Sequence, residues 1–95
     1  MYVAVIKFQT NLTEKEVLTV ADERADDFMA LPGLIQKYYF KKNETGEYGG
    51  VYIWESLDAM KSYRESDLAS SIPAAYQVIG QPTIDTLEVL FPLRA

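Results

Sequence analysis

Residues 31–56, LPGLIQKYYFKKNETGEYGGVYIWES, decide the fold of this chain. Pro32-Gly33 stops a preceding helix, because proline lacks the backbone donor and glycine takes the left-handed turn that ends helices. Leu34–Lys42 then reads as a strand, Asn43-Glu44-Thr45-Gly46 as a hairpin turn, and Glu47–Glu55 as the returning strand. Gly49-Gly50 weakens that strand locally and marks a bulge or a close approach by something else. Tyr52 and Trp54 close it, and Ser56 is placed to start a second helix.

Working outward, Tyr2–Gln9 is rich in Val, Ile, Tyr and Phe and reads as the first strand. Thr13 with Glu16 three residues on matches a capping box, so a helix begins there. Val17, Val20, Ala21, Phe28 and Met29 fall near one face of it at helical spacing. After Ser56-Leu57-Asp58, a second helix turns Ala59, Met60 and Tyr63 inward. Pro73 and Gly80-Gln81-Pro82 interrupt the next stretch, which predicts irregular helical turns over Asp67–Ile79 and a last strand over Thr83–Phe91. The order β-α-β-β-α-β predicts a ferredoxin-like α+β fold, with a four-stranded antiparallel sheet, as a single domain spanning residues 1–95.

Neither face of that sheet is consistently polar. Tyr2, Ala4, Ile6 and Phe8 fill one side of the first strand, yet Val3 and Val5 make much of the other apolar. In the last strand Leu87, Val89 and Phe91 oppose Ile84 and Leu90. A sheet with helices on one side only should be polar on its free side. Covering the free side with a second copy of the same sheet is the simplest solution, so a homodimer is expected.

Composition narrows the function. The chain has 95 residues and a net charge of −5, with no surplus of Lys or Arg to neutralise phosphates, so no nucleic-acid surface is expected. Lys37, Lys41 and Lys42 cluster on and after one strand and read as a solvated strand end rather than an anion site. There is no Cys and no His, which removes thiolate nucleophiles, disulfides, the commonest metal and haem ligand and the usual general base near neutral pH. No Asp/Glu run has calcium-loop spacing. Gly46, Gly49 and Gly50 sit in a hairpin and its following strand, where no helix N-terminus is available to a dinucleotide. No metal, haem, flavin or other cofactor is therefore expected. No stretch is long and apolar enough to span a bilayer, the start reads as a strand rather than a signal peptide, and a cytoplasmic location is the expectation. Seven tyrosines supply large apolar areas with polar tips, which suits pockets and interfaces.

The run LPGLIQKYY, then ETGEYGGVYIWES, then IDTLEVLFPL, resembles the YdhR-type proteins, which are named as monooxygenases. These belong to the dimeric α/β-barrel superfamily, close to the antibiotic-biosynthesis monooxygenases. The similarity covers nearly the whole chain and is most specific across Leu31–Ser56. It implies ferredoxin-like protomers paired sheet to sheet as a dimeric α/β barrel. It also implies cofactor-independent oxygenation of a small phenol, quinol or anthrone-like compound. That chemistry needs a flat aromatic substrate held away from bulk water with its oxyanion stabilised.

On the resemblance, Trp54 matches the tryptophan that ends the third strand, and its indole N–H could donate to a substrate oxygen. Tyr52 shares its strand face, and the two are the candidate catalytic residues. Tyr39, Tyr63, Tyr76, Phe28, Arg24 and Asn11 are candidates for substrate binding. Packing alone would also account for each ring, and solvent or turn roles for Arg24 and Asn11. There is one departure. Quinone-forming relatives often carry an Asn four residues before the tryptophan to bind the oxyanion, and here that position is Gly50. The lack of His also excludes the haem-degrading members with an axial His and the cyclases with a His base. Two other readings stay open: an isomerase or cyclase that uses a Tyr or carboxylate, and a dimeric protein that only binds a small aromatic molecule.

Overall fold

The computed structural model describes residues 1–94. Its first helix starts where the capping box predicts. The Thr13 hydroxyl accepts from the Glu16 backbone N–H at 3.2 Å, and the Glu16 carboxylate accepts from the Thr13 N–H at 2.9 Å. That exchange satisfies two donors a helix start would otherwise leave bare. The elements run β1 (Tyr2–Thr10), α1 (Glu14–Met29), β2 (Leu34–Lys42), β3 (Glu47–Trp54) and α2 (Leu57–Arg64). Two single turns, α3 (Asp67–Ser70) and α4 (Ile72–Ala75), then lead into β4 (Val78–Glu88). Ser56 caps α2, accepting from the Ala59 N–H at 3.1 Å.

The sheet order is β2-β3-β1-β4 with every neighbouring pair antiparallel, the ferredoxin-like arrangement. Register assigns the faces. Ala4 stands opposite Tyr52 and Thr86, and Tyr52 stands opposite Lys37, so these residues share the face that the helices cover. The main core joins Ala4, Tyr52 and Trp54 of the sheet to Phe28 of α1 and to Met60 and Tyr63 of α2. A smaller cluster of Phe8, Val17 and Tyr76 closes the other end.

The last strand departs from the sequence reading. It begins at Val78 rather than Thr83 and ends at Glu88 rather than Phe91. The interruption expected at Gly80-Gln81-Pro82 is absorbed as a bulge: pairing passes from Lys7–Thr83 to Gln9–Ile79, leaving three residues opposite Phe8 alone. Gly80 takes φ +70°, which a side chain would resist. Pro82 is tolerated because β4 is an edge strand, where a missing N–H breaks no ladder. The third strand ends at Trp54, one residue early, although the Glu55 N–H still bonds the Gly33 carbonyl at 2.8 Å.

The close approach expected at Gly49-Gly50 is present. A Cβ at Gly49 would collide with the Ile6 carbonyl oxygen of β1. The sheet face away from the helices carries Val3, Val5, Tyr38, Val51, Ile53 and Leu87, interspersed with Lys7, Gln36, Thr83 and Asp85. Tyr38 and Leu87 are more than half exposed there, and Leu90, Phe91 and Leu93 after β4 are exposed as well. Among the described residues no helix is long and apolar enough to cross a membrane.

Candidate functional site

A cavity of about 250 Å³ opens between α1 and the covered face of the sheet. Its floor is Ile6 and Phe8 of β1 with Gly50 and Tyr52 of β3. Val17, Leu18 and Ala21 of α1 form one wall, Lys37 and Tyr39 of β2 the other, and Ile72 and Tyr76 close one end. Glu14 and Lys41 also border it, joined by an ion pair at 3.3 Å. The volume exceeds the roughly 150 Å³ that admits benzene in an apolar core, so a substituted phenol fits inside, and the open side leaves room for a larger fused ring system to extend outward.

Lys37 contradicts the reading of its cluster as a solvated strand end. Its side chain turns inward, with Nζ 3.5 Å from the Phe28 ring centroid, 4.4 Å from that of Tyr39 and 4.5 Å from that of Tyr52. Among the described residues Nζ has neither hydrogen-bond acceptor nor carboxylate partner. Loss of hydration, with repulsion from the Arg24 guanidinium second, lowers its pKa from 10.5 to about 7. The ring faces offset part of that, because they favour the cation. Near neutral pH the group is thus a mixture of amine and ammonium. The signal for it was the hairpin register: a turn at residues 43–46 pairs Lys42 with Glu47 and so sets Lys37 opposite Tyr52.

The proposed aromatic residues divide. Tyr52, Tyr39 and Tyr76 border the cavity. Phe28 and Tyr63 stand behind Tyr52, with ring centroids 6.3 and 5.5 Å from it, and the Tyr52 and Tyr63 hydroxyls are 3.4 Å apart. Burial holds the Tyr52 and Tyr63 hydroxyls above the usual phenol range, in Tyr52 with help from Tyr63. Tyr39 is raised by burial too, and Tyr76 is pushed up to about 12 for the same reason. All four are therefore hydroxyl donors near neutral pH and cannot serve there as bases.

Trp54 does not border the cavity. It is 1% exposed, stacked parallel to Tyr52 at 6.3 Å and packed on Tyr63 at 5.3 Å, and its buried indole N–H has no partner among the described residues. The reason is its register: Trp54 pairs with Tyr2 and Leu34 at the end of the sheet that α2 covers, where Met60 and Tyr63 fill the space. Arg24 is not at the wall either. It reaches α3 and α4, donating from one terminal nitrogen to the Ser71 hydroxyl at 2.6 Å and to the Leu68 carbonyl at 3.3 Å, while its buried Nε has no partner among the described residues. Asn11 lies in the exposed turn between β1 and α1, away from the cavity lining. Among the described residues no acidic cluster is arranged to hold a metal ion.

The sheet order and the helices on one face define a ferredoxin-like α+β fold, with an aromatic-walled cavity between α1 and the covered face of the sheet. The chain belongs to the family described as "Putative mono-oxygenase ydhR", which matches residues 3–86. No curated protein sequence matches it. Among solved structures it is similar to SnoaB, a cofactor-independent oxygenase from Streptomyces nogalater, at 14% identity and TM-score 0.76, covering 99% of this chain and 97% of that one. It is also similar to Rv0793 from Mycobacterium tuberculosis, at 18% identity and TM-score 0.74, covering 98% and 99%. A third is a "putative antibiotic biosynthesis monooxygenase" from Deinococcus radiodurans, at 12% identity and TM-score 0.75, covering 100% and 98%. At these identities the likeness concerns the fold.

Proposed function

We propose that the protein is a cofactor-independent monooxygenase that takes a small phenol, quinol or anthrone-like compound into the cavity between α1 and the sheet. The observation that carries this reading is an apolar, aromatic-walled space holding one amine with no carboxylate partner among the described residues. Such a site binds a flat ring, favours its anion and keeps bulk water off it. The electron-rich anion then passes an electron to dioxygen. In the overall step a ring CH₂ or C–H is oxidised, one oxygen atom enters the product and the other leaves as water. Tyr52, Tyr39 and Tyr76 supply ring surface and hydroxyl donors. Phe28 and Tyr63 buttress Tyr52, Arg24 of α1 adds positive potential, and Trp54 positions Tyr52 through their stacking. Asn11 has no part in this reading.

The protein acts as a homodimer in this proposal. Val3, Val5, Tyr38, Val51, Ile53 and Leu87 form an apolar sheet face that its own helices do not cover, and a second copy would bury it. The test of function is oxygen uptake by chelator-treated protein over a panel of hydroquinones and anthrones. Turnover that needs no oxygen would replace the reading with the isomerase one, which Lys37 as a base would also suit. Tight binding without turnover would replace it with a binding protein.

A further inference from the structure

We propose that Lys37 is the catalytic base of this cavity: its Nζ removes the hydroxyl proton of a bound phenol and then, as an ammonium, holds the anion it has made. This rests on the reading of the cavity as a phenol site. The step balances within the pair. The ligand O–H bond breaks, an N–H bond forms on Nζ, and the electron pair stays on the ligand oxygen.

Two lysines of β2 point to the helix side of the sheet, and they are handled differently. Lys41 is neutralised at the border of the cavity by Glu14 at 3.3 Å. Lys37 has a four-carbon stem that could carry its charge to water or to an acid, yet its nitrogen stays among the rings of Phe28, Tyr39 and Tyr52. Room for the stem comes from Gly50. A Cβ there would stand 3.1 Å from Lys37 Cε and 3.2 Å from the Tyr52 ring, so any side chain at position 50 would press on both. The strand that lacks a polar side chain at position 50 thus receives a nitrogen from the strand beside it.

Every other titratable group around the nitrogen is unsuited to the task. Tyr39 from β2, Tyr52 from β3, Tyr63 from α2 and Tyr76 beyond α4 are kept protonated by burial. Loss of hydration, and after it repulsion from the permanently charged Arg24 of α1, leaves a share of Lys37 as free amine. Glu14 is committed to Lys41. A base that titrates near 7 is matched to proton transfer near neutral pH. Once the ligand is an anion, Arg24 and Lys37 both stabilise it.

The experiment titrates 4-nitrophenol, whose anion absorbs visible light, with the wild-type protein, Lys37→Met and Lys37→Arg. The wild type should ionise the bound probe at a lower pH than in free solution. Lys37→Met should weaken phenolate binding by about tenfold or more, as for a lost charge-assisted hydrogen bond. Lys37→Arg should keep phenolate affinity but lose most of its oxygen uptake with a hydroquinone at neutral pH, since guanidinium cannot take the proton. Equal phenolate affinity in wild type and Lys37→Met would overturn the proposal. A second measurement needs no variant: Lys37 should acylate at neutral pH with a midpoint near 7, and 4-nitrophenol should protect it. Reaction only at alkaline pH, or no protection, would also overturn it. The two readings fail separately. Oxygen uptake undiminished in Lys37→Met removes the base and leaves the oxygenase. Lys37-dependent phenolate binding without oxygen uptake for any substrate removes the oxygenase and leaves the base.

Discussion

Replacing Lys37 by Met should make the protein more stable at neutral pH, and the gain should disappear as the solution is made alkaline. In the unfolded chain this amine titrates near 10.5, whereas in the fold its value falls to about 7. Between those two values the unfolded state binds a proton that the folded state does not. Wild-type stability therefore rises with pH through this window and is lowest at and below about 7. The full separation corresponds to about 5 kcal/mol, at about 1.36 kcal/mol per tenfold. Residual solvent access and the three ring faces reduce this, so we expect a gain of about 1 to 3 kcal/mol in Lys37→Met at pH 7. Above about pH 10 the tyrosines act in the opposite sense. Tyr76 is raised to about 12, and Tyr39, Tyr52 and Tyr63 are also raised, so the unfolded state ionises first and stability falls. Urea unfolding at fixed protein concentration, at intervals from pH 6 to 10, measures both curves. Parallel curves, or a variant less stable at every pH, would refute the account of Lys37 as a charge partly withdrawn from water.

The packing sets three further outcomes. Gly49→Ala should cost about 3 kcal/mol or more, because its Cβ meets the Ile6 carbonyl oxygen and neither backbone can yield without breaking the β1–β3 ladder; an unchanged urea midpoint would contradict it. Trp54→Phe should lose about 1 to 2 kcal/mol of stability from the space it leaves, offset in part because the unpartnered indole N–H goes too. Its affinity for 4-nitrophenol should stay within about twofold, and a tenfold loss would return Trp54 to the site. Sedimentation at micromolar concentration should show a dimer that Leu87→Lys or Tyr38→Glu dissociates, since each puts a charge on the apolar outer face; a monomeric wild type would remove the dimer.

The parts of the fold legible in the sequence were those set by local chemistry. Thr13 with Glu16, Ser56, and the turn at residues 43–46 each carry their own structural reason, and all lie where expected. Gly80 and Pro82 misled because they usually end a strand, and only the sheet order shows that β4 is an edge able to absorb them. The side of the sheet that Tyr52 and Trp54 occupy was not legible, because both faces of β1 and β3 are apolar. Contact with Phe28 and Tyr63 settles it. Lys37 was passed over because three lysines close together suggest a wet strand end. The hairpin register pairs it with Tyr52, but the face that this pair occupies and the low basicity of the amine depend on α1 lying overhead, which is not a property of the local sequence.

Oxygen consumption by metal-depleted protein tests the central claim most directly. A Clark-type electrode should record uptake with at least one hydroquinone or anthrone in chelator-containing buffer. One dioxygen should be consumed per molecule oxidised, and Lys37→Met should slow the rate about tenfold or more near neutral pH. No uptake above the uncatalysed rate for any member of the panel, with Lys37→Met indistinguishable from wild type in phenolate binding, would contradict both the oxygenase and its proposed base.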